Sequence, residues 1–355
     1  MKRGNEHIQA ILQPLAAVLL GLLVGAAAMK LVDAPVLDTY IQLWNGAFGN
    51  LYFVSSTMAR ATPILLIALG VGFAFRAGVF NLGGEGQMVL GAVAAALTAL
   101  YLPGNGMGKV LLAAVAGFTV GGGWSVFAGW MESRFKVQLI ISTLLLNYIA
   151  VLFASYLVSK PFQDKTGSAA LAQTKMLDPA SRIPKLFTGM TVHGGFIVAI
   201  VLAILLFVLL RYSKTGYEVN MLGKNASFAE YGGVNRPKLL LLTMFVSGGL
   251  AGLAGSFEVL GSQYRFVDNA LTVPGYAWTG VMAALLANSN PLGTVAASIL
   301  LSALQTGAMG VERNTEVPLE IASVIQAVLI LFISAKVSFS FIKSKKEGKS
   351  NGTSV

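Results

Sequence analysis

Cysteine is absent, histidine occurs twice, and charged side chains make up only 11% of the 355 residues. Without a thiol there is no disulfide, no thiolate-ligated zinc or iron–sulfur site and no cysteine nucleophile. His7 and His193 stand 186 positions apart, and neither a Gly-x-Ser-x-Gly elbow nor a His-Glu-x-x-His helix occurs, which disfavours a membrane enzyme. Gly223-Lys224 is the nearest approach to a phosphate loop. Asn225 follows where Ser or Thr is needed and no strand precedes, so this chain is not expected to hydrolyse ATP. Soluble domains carry about 25% charged residues. The low charge here, 55% hydrophobic content and mean hydropathy of +0.72 mark an integral membrane protein. The net charge of +10 lies at the ends of apolar spans, where it reads as a topology signal and not as a nucleic-acid footprint.

Two apolar runs are also short. Residues 61 to 75 and 88 to 102 are uncharged but 15 residues long each, against the roughly 20 a bilayer requires. Between them lies Phe80-Asn81-Leu82-Gly83-Gly84-Glu85-Gly86-Gln87. Polar, glycine-broken backbone survives at membrane depth only inside protein or along a water-filled path. The segment therefore predicts a discontinuous helix beside a translocation pathway. Glu85 has two readings: it offers hydrogen bonds to a passing solute with Asn81 and Gln87, or it caps the amides that open the following helix.

Apolar runs give ten candidate spans, an all-α membrane fold: 11 to 32, 57 to 76, 80 to 102, 109 to 131, 137 to 159, 193 to 210, 239 to 260, 275 to 289, 291 to 311 and 317 to 336. With the N-terminus inside, 15 of the 25 Lys and Arg residues fall on inner segments, which selects N-in, C-in. The permease domain is drawn as 1–340, with an outer loop at 160–192, an inner loop at 211–238 and a basic tail at 341–355 expected to be disordered. The uncharged stretch from Ile8 to Met29 is span-length, longer than a signal core. Residues 33 to 56 read as an outer interfacial segment because of Trp44, Phe48, Tyr52 and Phe53. Ser247/Ala251/Gly255 and Gly248/Gly252 form small-residue ridges for close helix packing, with Gly121-Gly122-Gly123 serving similarly. Two short glycine-marked segments, near 61 to 87 and 275 to 289, point to an inverted repeat.

Polar residues within spans also have two uses. Asn147, Gln305, Glu320 and Gln326 either face the pathway or bond between helices. Phe80, Tyr276 and Trp278 either stack on a base or anchor at an interface. The inner loop reads Asn225-Ala226-Ser227-Phe228-Ala229-Glu230-Tyr231-Gly232-Gly233-Val234-Asn235, a small-residue helical stretch suited to a groove on a partner or, alternatively, a plain linker.

Phe80 to Gln87, Gly223-Lys224-Asn225 through Gly232-Gly233-Val234-Asn235, and Asn290-Pro291-Leu292-Gly293 together resemble the permease subunits of ATP-binding-cassette importers for nucleosides, ribose-type sugars and branched-chain amino acids. Leu82 stands where Ile is usual and Gly233 where Ala is usual. Ala59-Arg60-Ala61-Thr62-Pro63 and the length look most like the nucleoside members. The resemblance implies ten spans, a second non-identical permease, cytoplasmic ATPase subunits that carry ATP and Mg, and an extracellular or periplasmic binding protein in a bacterial cytoplasmic membrane. No cofactor is expected on this chain. The pathway candidates are Phe80, Asn81, Glu85, Gln87, Asn147, Tyr276, Trp278 and Gln305; the coupling candidates are Gly223, Lys224, Asn225, Ala226, Ala229, Gly232, Gly233 and Asn235. Rival expectations are a sugar or branched-chain amino-acid permease, or a carrier driven by protons through Glu85.

Overall fold

The computed structural model describes residues 23–27, 29–30, 35–104, 106–166, 171–314 and 324. The expected first and last spans, with Glu320 and Gln326, lie largely or wholly outside these residues. The chain divides into two compact units, residues 1–54 with 303–355, and residues 55–302. Helices in chain order are α1 Val36–Phe48, α2 Leu51–Arg76, α3 Gly84–Tyr101, α4 Met107–Phe135, α5 Leu139–Ser159, α6 Gly195–Tyr212, α7 Lys214–Lys224, α8 Ala226–Tyr231, α9 Arg236–Phe257, α10 Tyr276–Leu286 and α11 Pro291–Asn314. A π-helical turn, Glu258–Gln263, continues α9.

Six helices among the described residues are long and apolar enough to cross a membrane: α2, α4, α5, α6, α9 with its π-helical turn, and α11. Helix α10 is apolar but short, and α3, whose first turn carries Glu85 and Gln87, is not among the six. Where an interfacial segment was expected, α1 buries Thr39, Gly46 and Ala47 and exposes Leu37 and Trp44. In its own unit, α1 meets α11 backbone to backbone, since a Cβ on Gly46 would stand 2.8 Å from the Cα of Gly310.

In the larger unit the core is formed by α2, α3, α4 and α9. Helix α2 is enclosed almost all round from Ala61 to Ala74. Between α3, α4 and α9 the seam is glycine on glycine: a Cβ on Gly121 of α4 would lie 2.6 Å from the Gly248 carbonyl and 2.8 Å from the Gly252 Cα of α9, and one on Gly91 of α3 would meet the same Gly252. On α9, Gly255 likewise abuts Met88 and Ala92. The small-residue ridges therefore pack within the chain, where close approach gains dispersion contact that lipid does not offer. Gly123 faces open space. By contrast α5 exposes Ile141, Leu145, Tyr148, Leu152 and Tyr156, one stripe at helical spacing. A continuous exposed apolar stripe is the signature of a surface that water does not cover.

The segment preceding α6 is bound to the end of α9. Thr174 Oγ1 accepts from the Phe266 amide at 3.0 Å, and Lys185 Nζ donates to the Gly261 carbonyl at 2.9 Å. The fully buried His193 ring lies against Gly195 and Gly261, and its Nδ1 accepts from the Gly195 amide at 3.2 Å. Burial, reinforced by the Lys185 charge, pushes the His193 imidazole down to about 4. The fold thus holds it neutral, so its contribution is complete above the unfolded value near 6.5 and is lost as pH falls towards 4, by up to about 3 kcal/mol. Melting in detergent is expected to drop more steeply between pH 6.5 and 4 than in a His193→Phe variant, which keeps a ring between the two glycines. Parallel pH profiles would refute this.

Candidate functional site

Helix continuity between α2 and α3 breaks at residues 77 to 83. Breaking a helix leaves amides and carbonyls unpaired, and two side-chain amides take them up. Asn147 Oδ1 accepts from the Gly86 amide at 2.9 Å while its Nδ2 donates to the Leu82 carbonyl at 3.0 Å. Asn81 Oδ1 accepts from the Gly83 amide at 3.0 Å and from Gln87 Nε2 at 3.0 Å. Asn81 Nδ2 in turn donates to Ser247 Oγ at 2.9 Å and Gln87 Oε1 at 3.1 Å. Asn81, Gln87 and Asn147 are all buried. Of the pathway candidates these three point into the protein, where they lock the break.

Glu85, Tyr276 and Trp278 lie at the first turns of two helices. Gly275, at φ +66, turns the chain into α10. A Cβ on Gly84 would lie 3.4 Å from Ile67 Cγ2 and 3.8 Å from Ala277 Cβ, and one on Gly280 would meet the same Ile67 at 2.7 Å. The N-terminal turns of α3 and α10 therefore meet beside Ile67. That residue stands nine positions before Arg76, about 13 Å along the helix. A meeting of two helix N-termini brings their positive dipole ends together. Beside it lie half-buried Glu85, buried Tyr276 and Trp278, which is 51% exposed, whereas Phe80, also 51% exposed, lies towards the inner loop. The Phe80 ring packs on Phe75 at 5.0 Å. Gln305 is half-buried on α11 in the other unit.

Below the break sits the inner loop, folded as α7 and α8. Ser213, Asn225 and Asn235 cap α7, α8 and α9, accepting from the amides of Gly216, Phe228 and Lys238 at 2.9, 3.0 and 3.1 Å. Gly232 and Gly233, the latter at φ +85, end α8. Gly223 fits only because it lacks a side chain: a Cβ would collide with the Arg76 carbonyl oxygen. Arg76 Nη1 donates to Asn220 Oδ1 at 3.3 Å and its Nε donates to the Ser289 carbonyl at 2.7 Å. Arg76 thus joins the end of α2, the inner loop and the turn before Pro291. A cavity of about 400 Å³ lies here, lined among others by Phe80, Glu132, Gly223, Lys224, Ala226 and Arg236.

Two corrections follow for the loop. Ala229, a coupling candidate, is fully buried within the chain, so it supports α8 and presents nothing outward. The exposed side chains are Phe228 and Tyr231, at 62% and 93%. Their spacing of three puts them on one face of α8, a signal present in the sequence among the small residues. Arg76 was missed because a lone arginine at a span end reads as a topology marker.

Comparison with known proteins bears on this geometry. The family model described as branched-chain amino acid transport system / permease component matches residues 53–334. The guanosine ABC transporter permease protein NupP of Bacillus subtilis is 34% identical over 97% of this chain and 99% of its own. The glucose ABC transporter permease protein TsgB13 of Haloferax volcanii is 30% identical over 94% and 89%. The nucleoside ABC transporter permease protein NupB of Lactococcus lactis is 28% identical over 94% and 93%.

Proposed function

The chain belongs to the branched-chain amino acid transport system / permease component family, and from that premise we propose that it is the permease subunit of an ATP-driven importer that carries nucleosides across a bacterial cytoplasmic membrane. The observation that carries this reading is the abutment of the inner loop on the helix break through Gly223 and Arg76. A push on α8 reaches the Phe80–Gln87 segment through backbone contact, with no long lever between. Two of the three relatives compared carry guanosine or nucleoside in their names, which favours that solute over a sugar. The full chain crosses ten times with both termini inside, α3 and α10 being the half-helices of an inverted repeat. A second, non-identical permease completes the pathway, a separate ATPase binds ATP and Mg and docks on α8, and an extracellular binding protein delivers solute.

In this reading Asn81, Gln87 and Asn147 keep the break in shape, and Glu85, Phe80, Tyr276 and Trp278 face the solute. ATP hydrolysis belongs to the partner, and this chain performs no chemistry of its own.

Uptake of labelled guanosine, ribose and leucine by cells expressing the complete transporter tests the solute. Guanosine accumulation that stops when the partner ATPase is inactivated is expected; accumulation of ribose or leucine alone would overturn the assignment. In the same cells Phe228→Asp with Tyr231→Asp is expected to cut uptake at least tenfold and to release the ATPase on purification. Exposed substitutions usually change stability by under about 0.5 kcal/mol, so the permease should accumulate normally. Full uptake with the ATPase still bound would mean that α8 is not the docking element.

A further inference from the structure

One polar cluster belongs to neither the break nor the inner loop. Glu258 is buried to 4% exposure in the π-helical turn that ends α9. The cations acting on it are Arg60 of α2 and Lys185, and Ser262 hydrogen-bonds to its carboxyl. Arg60 also lies over the Tyr276 ring, 5.9 Å from guanidinium carbon to ring centroid, and Tyr276 feels the Glu258 carboxylate. Gln263, in the same turn, has a buried Oε1 without a hydrogen-bond partner. Arg60 stands seven residues before Ile67, about 10 Å beyond the meeting of α3 and α10 on the side away from Arg76. The cluster therefore lies on the side of the α3–α10 meeting opposite the inner loop.

An acid buried in a spanning helix is costly, and a pair of apolar residues would hold the helices at least as well. The π-helical turn adds a residue to the helix and re-aims the side chains in it, an irregularity that recurs at functional sites. Arg60, Ser262 and Gln263 are only half-buried, so the cluster is not sealed. Its chemistry is specific: a carboxylate accepting on two oxygens, a guanidinium donating through a planar fork, and an aromatic face beneath the fork. A flat solute edge with adjacent N–H donors next to a carbonyl oxygen satisfies all three, as the edge of a 6-oxopurine does.

We infer that Glu258, Arg60 and Tyr276 form a site that selects the base of the solute, and that the base it takes is a 6-oxopurine. Glu258 accepts from the ring N–H and, in guanine, from the 2-amino group. Arg60 donates to the 6-oxo oxygen, and the Tyr276 ring backs the guanidinium. This rests on the nucleoside reading above and adds to it which nucleosides are admitted. Adenosine is disfavoured because its ring nitrogen acceptor faces the carboxylate and its amino group faces the guanidinium.

A binding protein imposes its own selectivity on uptake, so the test uses the detergent-purified permease–ATPase complex without it, titrated with guanosine, inosine, adenosine or cytidine while melting is followed. Guanosine and inosine are expected to raise the melting temperature of the wild type at concentrations at least thirtyfold below those adenosine needs. Glu258→Gln replaces two acceptors by one acceptor and one donor, which suits adenine. Its guanosine-to-adenosine preference is expected to fall at least a hundredfold. A structural role would weaken all four ligands alike. Unchanged preference in Glu258→Gln, at whatever affinity, overturns the inference. If that variant does not accumulate, Arg60→Lys, which keeps the charge but loses the fork, is expected to reduce the guanosine and inosine responses at least tenfold and leave the cytidine response unchanged; equal losses overturn it. Uptake of ribose or leucine but no nucleoside by the whole transporter would instead remove the reading beneath it, whereas nucleoside uptake with no base preference in the isolated complex defeats this inference alone.

Discussion

Valine at position 223 is expected to abolish uptake, at least a hundredfold, in a permease that still reaches the membrane and still holds its ATPase. Gly223 lies at the exposed end of α7, where a side chain would ordinarily be free to point into water. Here its missing Cβ is the space occupied by the Arg76 carbonyl oxygen, with the Gly78 amide nitrogen 3.1 Å away. Both obstacles are backbone, so no rotamer change relieves them. Helix α7 must withdraw, and the Arg76 bond to Asn220 at 3.3 Å is lost with it. Overpacking of this kind costs about 1–3 kcal/mol, enough to separate two elements without unfolding either. The exposed face of α8, with Phe228 and Tyr231, is untouched. ATP hydrolysis should continue and no longer respond to solute. Uptake within twofold of wild type would show that the junction at Gly223 transmits nothing.

Asn81→Leu is expected to be the most destabilising single change near the break. Asn81 is 1% exposed and serves the Gly83 amide, both ends of the Gln87 amide and the Ser247 hydroxyl. Leucine matches its size but leaves the Gly83 N–H and the Gln87 side chain buried without partners. Each buried unsatisfied group costs about 1–3 kcal/mol, a large share of the roughly 5–15 kcal/mol that holds a typical protein together. The variant should accumulate poorly and lose its cooperative melt in detergent. Asn147→Leu, which strands one amide and one carbonyl, should fall between it and wild type. An Asn81→Leu protein that melts as the wild type does would mean that the network is incidental.

Much of the larger unit was legible before any coordinates. The break between α2 and α3 follows from the three glycines between two apolar runs, but the run from 61 to 75 is not too short to cross, because the helix that carries it begins at Leu51 and extends to Arg76. The packing of Gly248 and Gly252 follows from small residues at a spacing of four, and the end of α8 follows from Gly232-Gly233. Facing was not legible. Asn81, Gln87 and Asn147 are polar residues in apolar surroundings, and the sequence is the same whether they turn towards a solute or towards each other. Ala229 illustrates the converse, since smallness suits both a buried support and a docking surface. The π-helical turn at Glu258 depends on what packs around it, because the sequence continues apolar through Val259 and Leu260 without a breaker. Arg60 belongs to the Ala59–Pro63 stretch, whose local sequence does not disclose that the guanidinium lies over Tyr276, 216 positions away.

The glycine seam between α4 and α9 works as a gear mesh. Gly121 sits against Gly248 and Gly252, and Gly117 against the Ser256 side chain and the Gly91 carbonyl. Meshed backbones cannot slip by half a tooth, because any intermediate position drives carbonyl oxygen into α-carbon. The mesh therefore joins α3, α4 and α9 into one block, in which a side chain added at Gly91, Gly121 or Gly252 would have to force backbones apart.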